Sequence, residues 1–124
     1  LSVSKGDGKS WTEPIKVNQD KGPAHQFFTW MSIDQSTGNL YFVYYDRRDS
    51  KGDETDVYSA RSIDGGKSFT EMKITKKSFT PNKEVFFGDY LNIASVNGTI
   101  RAIYPRMDNE KISLWVAHLF DKNF

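Results

Sequence analysis

The chain has 124 residues, enough for one domain with a sizeable core, and its aromatic content of 15% suits packed β-sheets. Its 17 basic and 16 acidic residues are mixed along the chain, so the formal net charge of +1 gives no electrostatic footprint for nucleic acid or a membrane surface. No apolar run reaches transmembrane length, and from the residues after Leu1 we expect no signal peptide within this sequence. The absence of cysteine excludes disulfides and thiolate metal sites. We therefore expect neither nucleic acid nor a membrane as a partner.

Taken in order, the chain opens with a predicted hairpin and then a complete four-stranded unit. Residues 1–4 read as the end of a strand, and residues 11–17 as the returning strand, in which Pro14 is typical of a sheet edge. A polar loop covers residues 18–25. Alternating or apolar runs then predict strands over 27–33, 40–45, 57–61 and 69–74, so that residues 26–74 form one unit.

The same order of elements then restarts and stops after three strands. The stretch 85–94 contains the next strand, Asn97-Gly98 predicts a hairpin turn, and strands follow at 100–104 and 112–119. Residues 85–120 thus repeat the first three strands of the preceding unit, and no segment has a helical apolar period. Aligning the two units at a spacing of 59 residues places Tyr45 on Tyr104 and Arg47 on Arg106.

The turn between the third and fourth predicted strands carries the most specific pattern. In residues 62–69, Ser-Ile-Asp-Gly-Gly-Lys-Ser-Phe, Asp64 can accept hydrogen bonds from turn N–H groups, and Gly65 and Gly66 can adopt positive φ. Residues 4–11, Ser-Lys-Gly-Asp-Gly-Lys-Ser-Trp, repeat this pattern 58 positions earlier. The chain therefore carries an internal repeat.

These turns resemble the Asp-box, or BNR repeat, of sialidases and other β-propellers. Residues 62–69 match Ser-x-Asp-x-Gly-x-Ser/Thr-aromatic at every position, whereas residues 4–11 have Gly6 in place of the aspartate and Asp7 one position late. The structural Asp-box residues implied are Ser62, Asp64, Gly66, Ser68 and Phe69, and Ser4, Asp7, Gly8, Ser10 and Trp11. Residues 32–48 and 86–94 also resemble segments of secreted sialidase-like propellers.

The resemblance implies an all-β fold, namely a segment of about two four-stranded blades of a propeller, which typically closes with about 4–8 blades. Residues 1–124 then form a single propeller segment, from the C-terminal part of such a protein, that is not a self-sufficient closed monomer. The remaining blades come either from a longer chain or from further copies of this one. The resemblance also implies a secreted protein, extracellular or periplasmic.

The function implied is action on, or binding of, the terminal acidic sugars of glycans. Sialidases grip the sugar carboxylate with arginines and use an acidic acid/base with a Glu-activated tyrosine nucleophile. The alternative is a non-catalytic propeller for glycan or protein binding, since the turn pattern supports both. The Phe/Tyr-Arg-Ile-Pro motif of the first sialidase arginine is absent, and no motif identifies catalytic residues. We expect the 124-residue chain alone to be inactive.

The candidate substrate-binding residues lie on the end of the blades opposite the Asp-box turns. They are Arg47, Arg106, Asp46, Arg48 and Asp89. Guanidinium groups match a carboxylate bidentately, which favours an acidic ligand. The competing interpretation is that the arginines form salt bridges with neighbouring aspartates and hold the loops.

Two further patterns leave a structural and a functional interpretation open. Residues 49–56, from Asp49 to Asp56, have the oxygen density of a calcium site but lack the EF-hand spacing, so a solvated loop is the alternative, and we expect no cofactor. The aromatic residues Trp30, Tyr45, Tyr90 and Trp115 are able to stack on sugars or to fill the space between blades. His25 and His118 are isolated in the sequence.

Overall fold

The computed structural model describes residues 1–124 and contains seven β-strands in two antiparallel sheets. The strands are β1 (Gln26–Ile33), β2 (Leu40–Asp46), β3 (Asp56–Ser62), β4 (Thr70–Lys73), β5 (Asn92–Val96), β6 (Thr99–Asp108) and β7 (Lys111–Phe120), followed by a 3₁₀ turn at Asp121–Asn123. The first sheet has the order β1-β2-β3-β4 and the second β5-β6-β7. The fold is thus all-β, as predicted, and it has no helix that could span a membrane.

The second sheet departs from the sequence prediction at Pro105. We predicted a loop after Tyr104, but β6 continues to Asp108 and pairs with β7 throughout, with Pro105 opposite Leu114. The two strands are joined at Asn109 and Glu110, whose φ angles of 49° and 63° give a tight turn. Glutamate is unusual in such a turn, and proline is unusual in a paired strand, so the sequence pattern pointed to a loop.

The strand predicted within residues 85–94 begins only at Asn92. The residues before it form an irregular segment in which Gly88 adopts a φ of 112°. Phe87 turns inward there, and its ring lies 5.4 Å from that of Tyr45 and 5.5 Å from that of Phe79. Packing of this side chain therefore replaces strand pairing over the first part of the apolar run.

Two apolar clusters hold the sheets in a stack. The larger lies between the two sheets, where Tyr41, Val43 and Tyr45 of β2 meet Ile100 and Tyr104 of β6. The smaller lies on the other face of the first sheet and contains Leu40, Phe42, Tyr44, Tyr58 and Ala60, with Leu1, Val17 and Phe69 packed against it. The first sheet is therefore covered on both faces, which explains why every residue of β2 is buried.

The segment that covers the smaller cluster is the predicted N-terminal hairpin. The amide of Ile15 donates to the carbonyl of Leu1 at 2.9 Å, and that of Thr12 donates to the carbonyl of Val3 at 2.9 Å. Residues 1–4 and 11–17 thus run antiparallel beside the first sheet, but the two predicted strands are not formed as regular strands, since only these two amides donate to backbone carbonyls across the hairpin. The side chains of residues 11–16 remain exposed, so this hairpin is the least buried layer of the stack.

Side-chain orientation shows that the two sheets repeat at a spacing of 60 residues along their second strands, and not at the predicted 59. Tyr44 pairs with Tyr58 across β2 and β3, and Tyr104 pairs with Trp115 across β6 and β7. Tyr44 faces the preceding layer, the hairpin, and Tyr104 likewise faces the preceding layer, the first sheet. A one-residue error would turn every side chain to the opposite face. Both sheets therefore stack with the same face toward the N-terminal side.

The two ends of the stack differ in the loops they carry. The turn at residues 62–69 and the β5–β6 turn lie at one end, because the Asp34 carboxylate after β1 accepts a hydrogen bond from Gly98 N at 2.7 Å. The β2–β3 loop and the β6–β7 turn lie at the other, where the Tyr45 hydroxyl donates to the carbonyl of Pro105 at 2.6 Å. Arg47, directly after β2, and Arg106, near the end of β6, both lie at this second end, opposite Asp64.

Candidate functional site

The turn at residues 62–69 is held by the carboxylate of Asp64. One carboxylate oxygen accepts hydrogen bonds from the amides of Lys67 at 2.9 Å and Ser68 at 3.0 Å, and the other accepts from the Ser68 hydroxyl at 2.6 Å. The Ser62 hydroxyl donates to Asp64 and accepts from the Gly66 amide at 2.8 Å. Gly65 and Gly66 have φ angles of 73° and 87°. These contacts give every polar group of the pattern a structural partner within the turn.

The turn at residues 4–11 shares only the serine part of this arrangement. The Ser4 hydroxyl accepts from the Gly8 amide at 3.0 Å, as Ser62 does from Gly66. Asp7 makes no hydrogen bond within the turn, and its φ is 51°. The Trp11 indole N–H donates to the carbonyl of Gly8 at 3.1 Å. The displaced aspartate therefore does not cap this turn, and Asp7 is a natural control for Asp64.

Asp64→Ala is expected to lower the melting temperature by about 5 °C, because the turn amides lose their acceptor. The Ser68 hydroxyl, followed by the Ser68 amide and Ser62, holds the pKa of Asp64 far below its ordinary value. A carboxylate with a lowered folded-state pKa contributes stability that is present above the unfolded pKa of about 3.9 and is lost as the pH falls. Melting curves from pH 7 to pH 2 should therefore show a fall in melting temperature at low pH. Asp64→Ala should reduce this fall, and Asp7→Ala should leave it unchanged. If Asp7→Ala reduced the loss of stability at low pH as much as Asp64→Ala, the carboxylate of Asp64 would not be the group that holds the turn.

At the opposite end, Arg48 is enclosed between two acidic side chains. Its guanidinium donates to the carboxylate of Asp46 at 2.6 and 2.8 Å and to that of Glu71 at 2.8 and 3.0 Å. The Arg48 guanidinium also lies 4.3 Å from the ring centre of Tyr58. Glu71 and Asp46 hold the pKa of Arg48 well above its ordinary value. Arg48 and Asp46, both predicted to bind substrate, are therefore paired with each other.

Arg106 is similarly enclosed by its neighbours. Its guanidinium pairs with the carboxylate of Asp108 and donates to the carbonyl of Lys77 at 2.6 Å. It lies between the rings of Phe79 and Trp115, at 5.2 and 5.4 Å from their centres. At the 60-residue spacing Arg106 corresponds to Asp46, and Asp108 to Arg48. The second sheet thus repeats the ion pair of the first with the charges exchanged.

Arg47 lines an open cleft at this end, as Arg106 does beside β7, but the guanidinium nitrogens of Arg106 all have protein acceptors. The cleft at Arg47, which we call the Arg47 cleft, has a volume of about 290 Å³. It is lined by Pro23, Ala24, His25, Arg47, Ser50, Lys51, Gly52 and Asp53. The Nε of Arg47 donates to the Thr55 hydroxyl at 3.2 Å, and one terminal nitrogen donates to Asp53 at 3.1 Å. The second terminal nitrogen of Arg47 has no protein acceptor.

The surroundings of Arg47 fix its position and favour an anion. Its amide donates to the carbonyl of His25 at 3.1 Å, and its guanidinium lies 5.1 Å from the ring centre of Phe27. Lys83 and then Arg47 hold the pKa of Asp53 below its ordinary value. Asp53 also pairs with Lys83 at 2.8 Å, so its single negative charge is divided between Lys83 and Arg47 and does not neutralise the positive charge of the cleft. Arg47, Lys51 and the exposed His25 leave an excess of donors there.

The remaining predicted site residues lie apart from this cleft. Asp89 is exposed before β5, forms no ion pair or hydrogen bond, and does not line the Arg47 cleft. Of the aromatic residues, Tyr45 is fully buried between the sheets, whereas Tyr90 is 72% exposed and Trp30 and Trp115 are 41% and 49% exposed. His118 faces outward on β7 opposite Arg101.

The acidic residues of the loop at residues 49–56 turn toward different cations. Lys73 pairs with Asp49 and Asp56, while Asp53 pairs with Arg47 and Lys83. Nowhere in the chain do three or more histidine, aspartate or glutamate side chains form a group that could hold a metal ion. The expectation that this loop holds no calcium ion stays a prediction.

Sequence reasoning missed Glu71 and Lys51. Glu71 lies on β4, 23 positions from Arg48, and the pairing of the two side chains depends on the antiparallel order β2-β3-β4. The only sequence signal for the position of Glu71 was the alternation of side chains along the strand predicted over residues 69–74, which places Glu71 on the face opposite Met72. Lys51 could be found only as the second cation of the loop that follows Arg47.

Comparisons with known proteins do not assign the chain to a family. No family model matches it, and no curated protein matches it either.

Proposed function

We propose that this chain is a two-blade segment of an Asp-box β-propeller, secreted, that binds an acidic sugar of a glycan in the Arg47 cleft. The observation that carries the proposal is the state of Arg47. It alone among the three arginines at this end combines an open cleft with a guanidinium nitrogen that has no protein acceptor. A guanidinium matches a carboxylate in geometry and charge, and a pyranose ring offers hydroxyls to Ser50 and His25.

The stacking of the layers supports the propeller part of the proposal. The hairpin, the first sheet and the second sheet follow one another with the same face toward the N-terminal side. Such a directional stack is what successive blades require, because each blade covers the next. In this proposal the Asp-box is a structural turn. The hydrogen bonds of Asp64 and Ser62, which hold the turn at residues 62–69, support that role.

Binding is favoured over hydrolysis by the residues around Arg48. A tyrosine paired with a glutamate occurs at Tyr44 and Glu71, the combination that a sialidase nucleophile requires. Tyr44 is only 2% exposed, and burial raises its pKa far above the ordinary value, so its hydroxyl cannot reach or attack a sugar. We therefore expect this chain to release no fluorophore from a fluorogenic sialoside.

Arg47→Lys is expected to weaken binding of free sialic acid about tenfold, because lysine cannot supply the planar fork and one charged hydrogen bond is lost. Isothermal titration of the variant and the parent chain gives the two dissociation constants. Arg101→Lys is the matched control, since Arg101 lies on the second sheet away from the cleft. Equal affinities for the parent chain and Arg47→Lys would contradict the proposed site.

A further inference from the structure

The hairpin turn between β5 and β6 carries the one Asn-Gly dipeptide of the chain, at Asn97 and Gly98. Both residues have positive φ, 50° and 69°, and the side chain of Asn97 is exposed and forms no hydrogen bond with the protein. An Asn-Gly pair is prone to lose ammonia, because glycine has no Cβ to hinder attack by its amide nitrogen on the asparagine carboxamide. The turn therefore combines a reactive pair of residues with an exposed side chain.

In the folded chain the attacking atom, the Gly98 nitrogen, is engaged by a carboxylate. Its N–H donates to Asp34 at 2.7 Å, and Asp34 is fully buried directly after β1. The other oxygen of Asp34 accepts from the amide and from the hydroxyl of Ser36, at 2.9 and 2.6 Å. Hydrogen bonds from the Ser36 hydroxyl and then from the Gly98 amide lower the pKa of Asp34 to about 2. Asp34 is therefore charged at neutral pH.

The charged carboxylate of Asp34 opposes the first chemical step of ammonia loss. The Gly98 nitrogen attacks only after it has given up its proton, and the amide anion so formed would lie beside a carboxylate of the same charge. Its hydrogen bond to Asp34 also has to break before this nitrogen can turn toward the carboxamide carbon of Asn97. A hydrogen bond to a charged group corresponds to a factor of about ten or more in an equilibrium. The protection lasts only while the turn is docked on Asp34.

We propose that Asn97 is a site of spontaneous deamidation and that the carboxylate of Asp34 suppresses the reaction in the folded chain. The Gly98 nitrogen forms a bond to the side-chain carbonyl carbon of Asn97. The carboxamide nitrogen leaves as ammonia, taking the proton that the Gly98 nitrogen gives up. Water then opens the five-membered succinimide at either of its carbonyl carbons, so residue 97 becomes aspartate or isoaspartate. This inference does not depend on the Arg47 cleft, which lies at the other end of the stack.

Conversion of Asn97 weakens the junction of the two sheets at this end. The amide of Gly98 bonds to Asp34, and its carbonyl accepts from the amide of Asp121 at 3.0 Å, so the turn links three parts of the chain. The Asn97 amide also helps to stabilise the charge of Asp34. Isoaspartate adds one carbon to the backbone of a two-residue turn, and either product adds a negative charge to it. We expect the converted chain, separated by its added charge, to melt at a lower temperature than the parent.

Peptide mass spectrometry after incubation of the parent chain, folded in buffer or unfolded in guanidinium chloride, tests the site and its protection. Trypsin releases residues 84–101, which contain both Asn92 and Asn97, so one peptide reports the reactive asparagine and a control. We expect deamidation at Asn97 alone, at least about tenfold faster in the unfolded chain than in the folded one. Equal rates at Asn97 in the two states would overturn the proposal, as would deamidation of Asn92 to the same extent.

Asp34→Asn separates the effect of the carboxylate from that of general stability. The variant keeps the shape of the side chain and removes its charge, so Asn97 should deamidate about tenfold faster in the folded variant than in the folded parent. Tyr45→Phe is the matched control, because it removes one hydrogen bond between the sheets at the opposite end. Circular dichroism establishes that each variant is folded, and the comparison of folded and unfolded parent carries the test if Asp34→Asn does not fold. A rate in folded Asp34→Asn equal to that of the parent, or an equal rise in Tyr45→Phe, would overturn the role of Asp34.

Discussion

Arg48→Met is expected to lower the free energy of unfolding by about 3–5 kcal/mol, the cost of leaving buried charges without their partner. The Asp46 side chain is fully buried and that of Glu71 is 9% exposed, so neither carboxylate is well solvated after the change. Burial raises the pKa of Glu71, and the hydrogen bonds from Arg48 and Tyr44 outweigh it, leaving the pKa below its ordinary value. Urea unfolding monitored by circular dichroism gives the change in midpoint at constant slope.

The control for Arg48 is a salt bridge at the surface of the same end. Lys83 is 78% exposed and pairs with Asp53 at 2.8 Å, so Lys83→Met should cost less than about 1 kcal/mol. If the two variants lost equal stability, Arg48 would not hold buried charges. Restoring part of the loss by adding Asp46→Asn and Glu71→Gln to Arg48→Met would confirm that uncompensated charge causes it.

Tyr45→Ala is expected to cost about 3–5 kcal/mol, as for other large aromatic side chains in a core. Tyr45 is fully buried, with its ring 5.2 Å from that of Phe27 and 5.9 Å from that of Phe79. Its hydroxyl donates to the carbonyl of Pro105 and so joins the two sheets. Tyr45→Phe removes that bond alone and should cost about 1 kcal/mol.

The expected unfolding of the Tyr45 variants is a single transition, because the cluster around Tyr45 belongs to both sheets. Tyr90→Ala is the matched control, since Tyr90 is 72% exposed and its removal should change stability by less than about 0.5 kcal/mol. Two separate transitions in Tyr45→Ala would mean that the sheets fold independently, contrary to the shared core.

The strands of the first sheet and the turn at residues 62–69 were predictable because their information is local. Alternation of apolar residues marks the strands, and Asp64 and the two glycines act within one turn. The extension of β6 through Pro105 was not predictable from these signals, since it depends on pairing with β7. Phe28 is similar: its φ of 55° accompanies an irregularity in the β1–β2 pairing that no local residue preference indicates.

The candidate site was only partly predictable for a different reason. The sequence indicated which residues follow the strands at the end opposite Asp64, and Arg47 lies there in an open cleft. Which arginines are engaged depends on partners far along the chain, such as Glu71 for Arg48 and the carbonyl of Lys77 for Arg106. The register along β2 and β6 also mattered, since the 60-residue spacing makes Arg106 the repeat equivalent of Asp46 and not of Arg47.

The central claim, that an acidic sugar binds at the end opposite Asp64, is tested most directly by an amide NMR titration of the parent chain. Sialyllactose and lactose are compared, because they differ in the acidic sugar alone. We expect sialyllactose to shift the amides of His25, Arg47 and residues 50–53, with no shift in residues 62–69 and no response to lactose. Equal responses to the two sugars, or shifts centred on residues 62–69, would contradict the account.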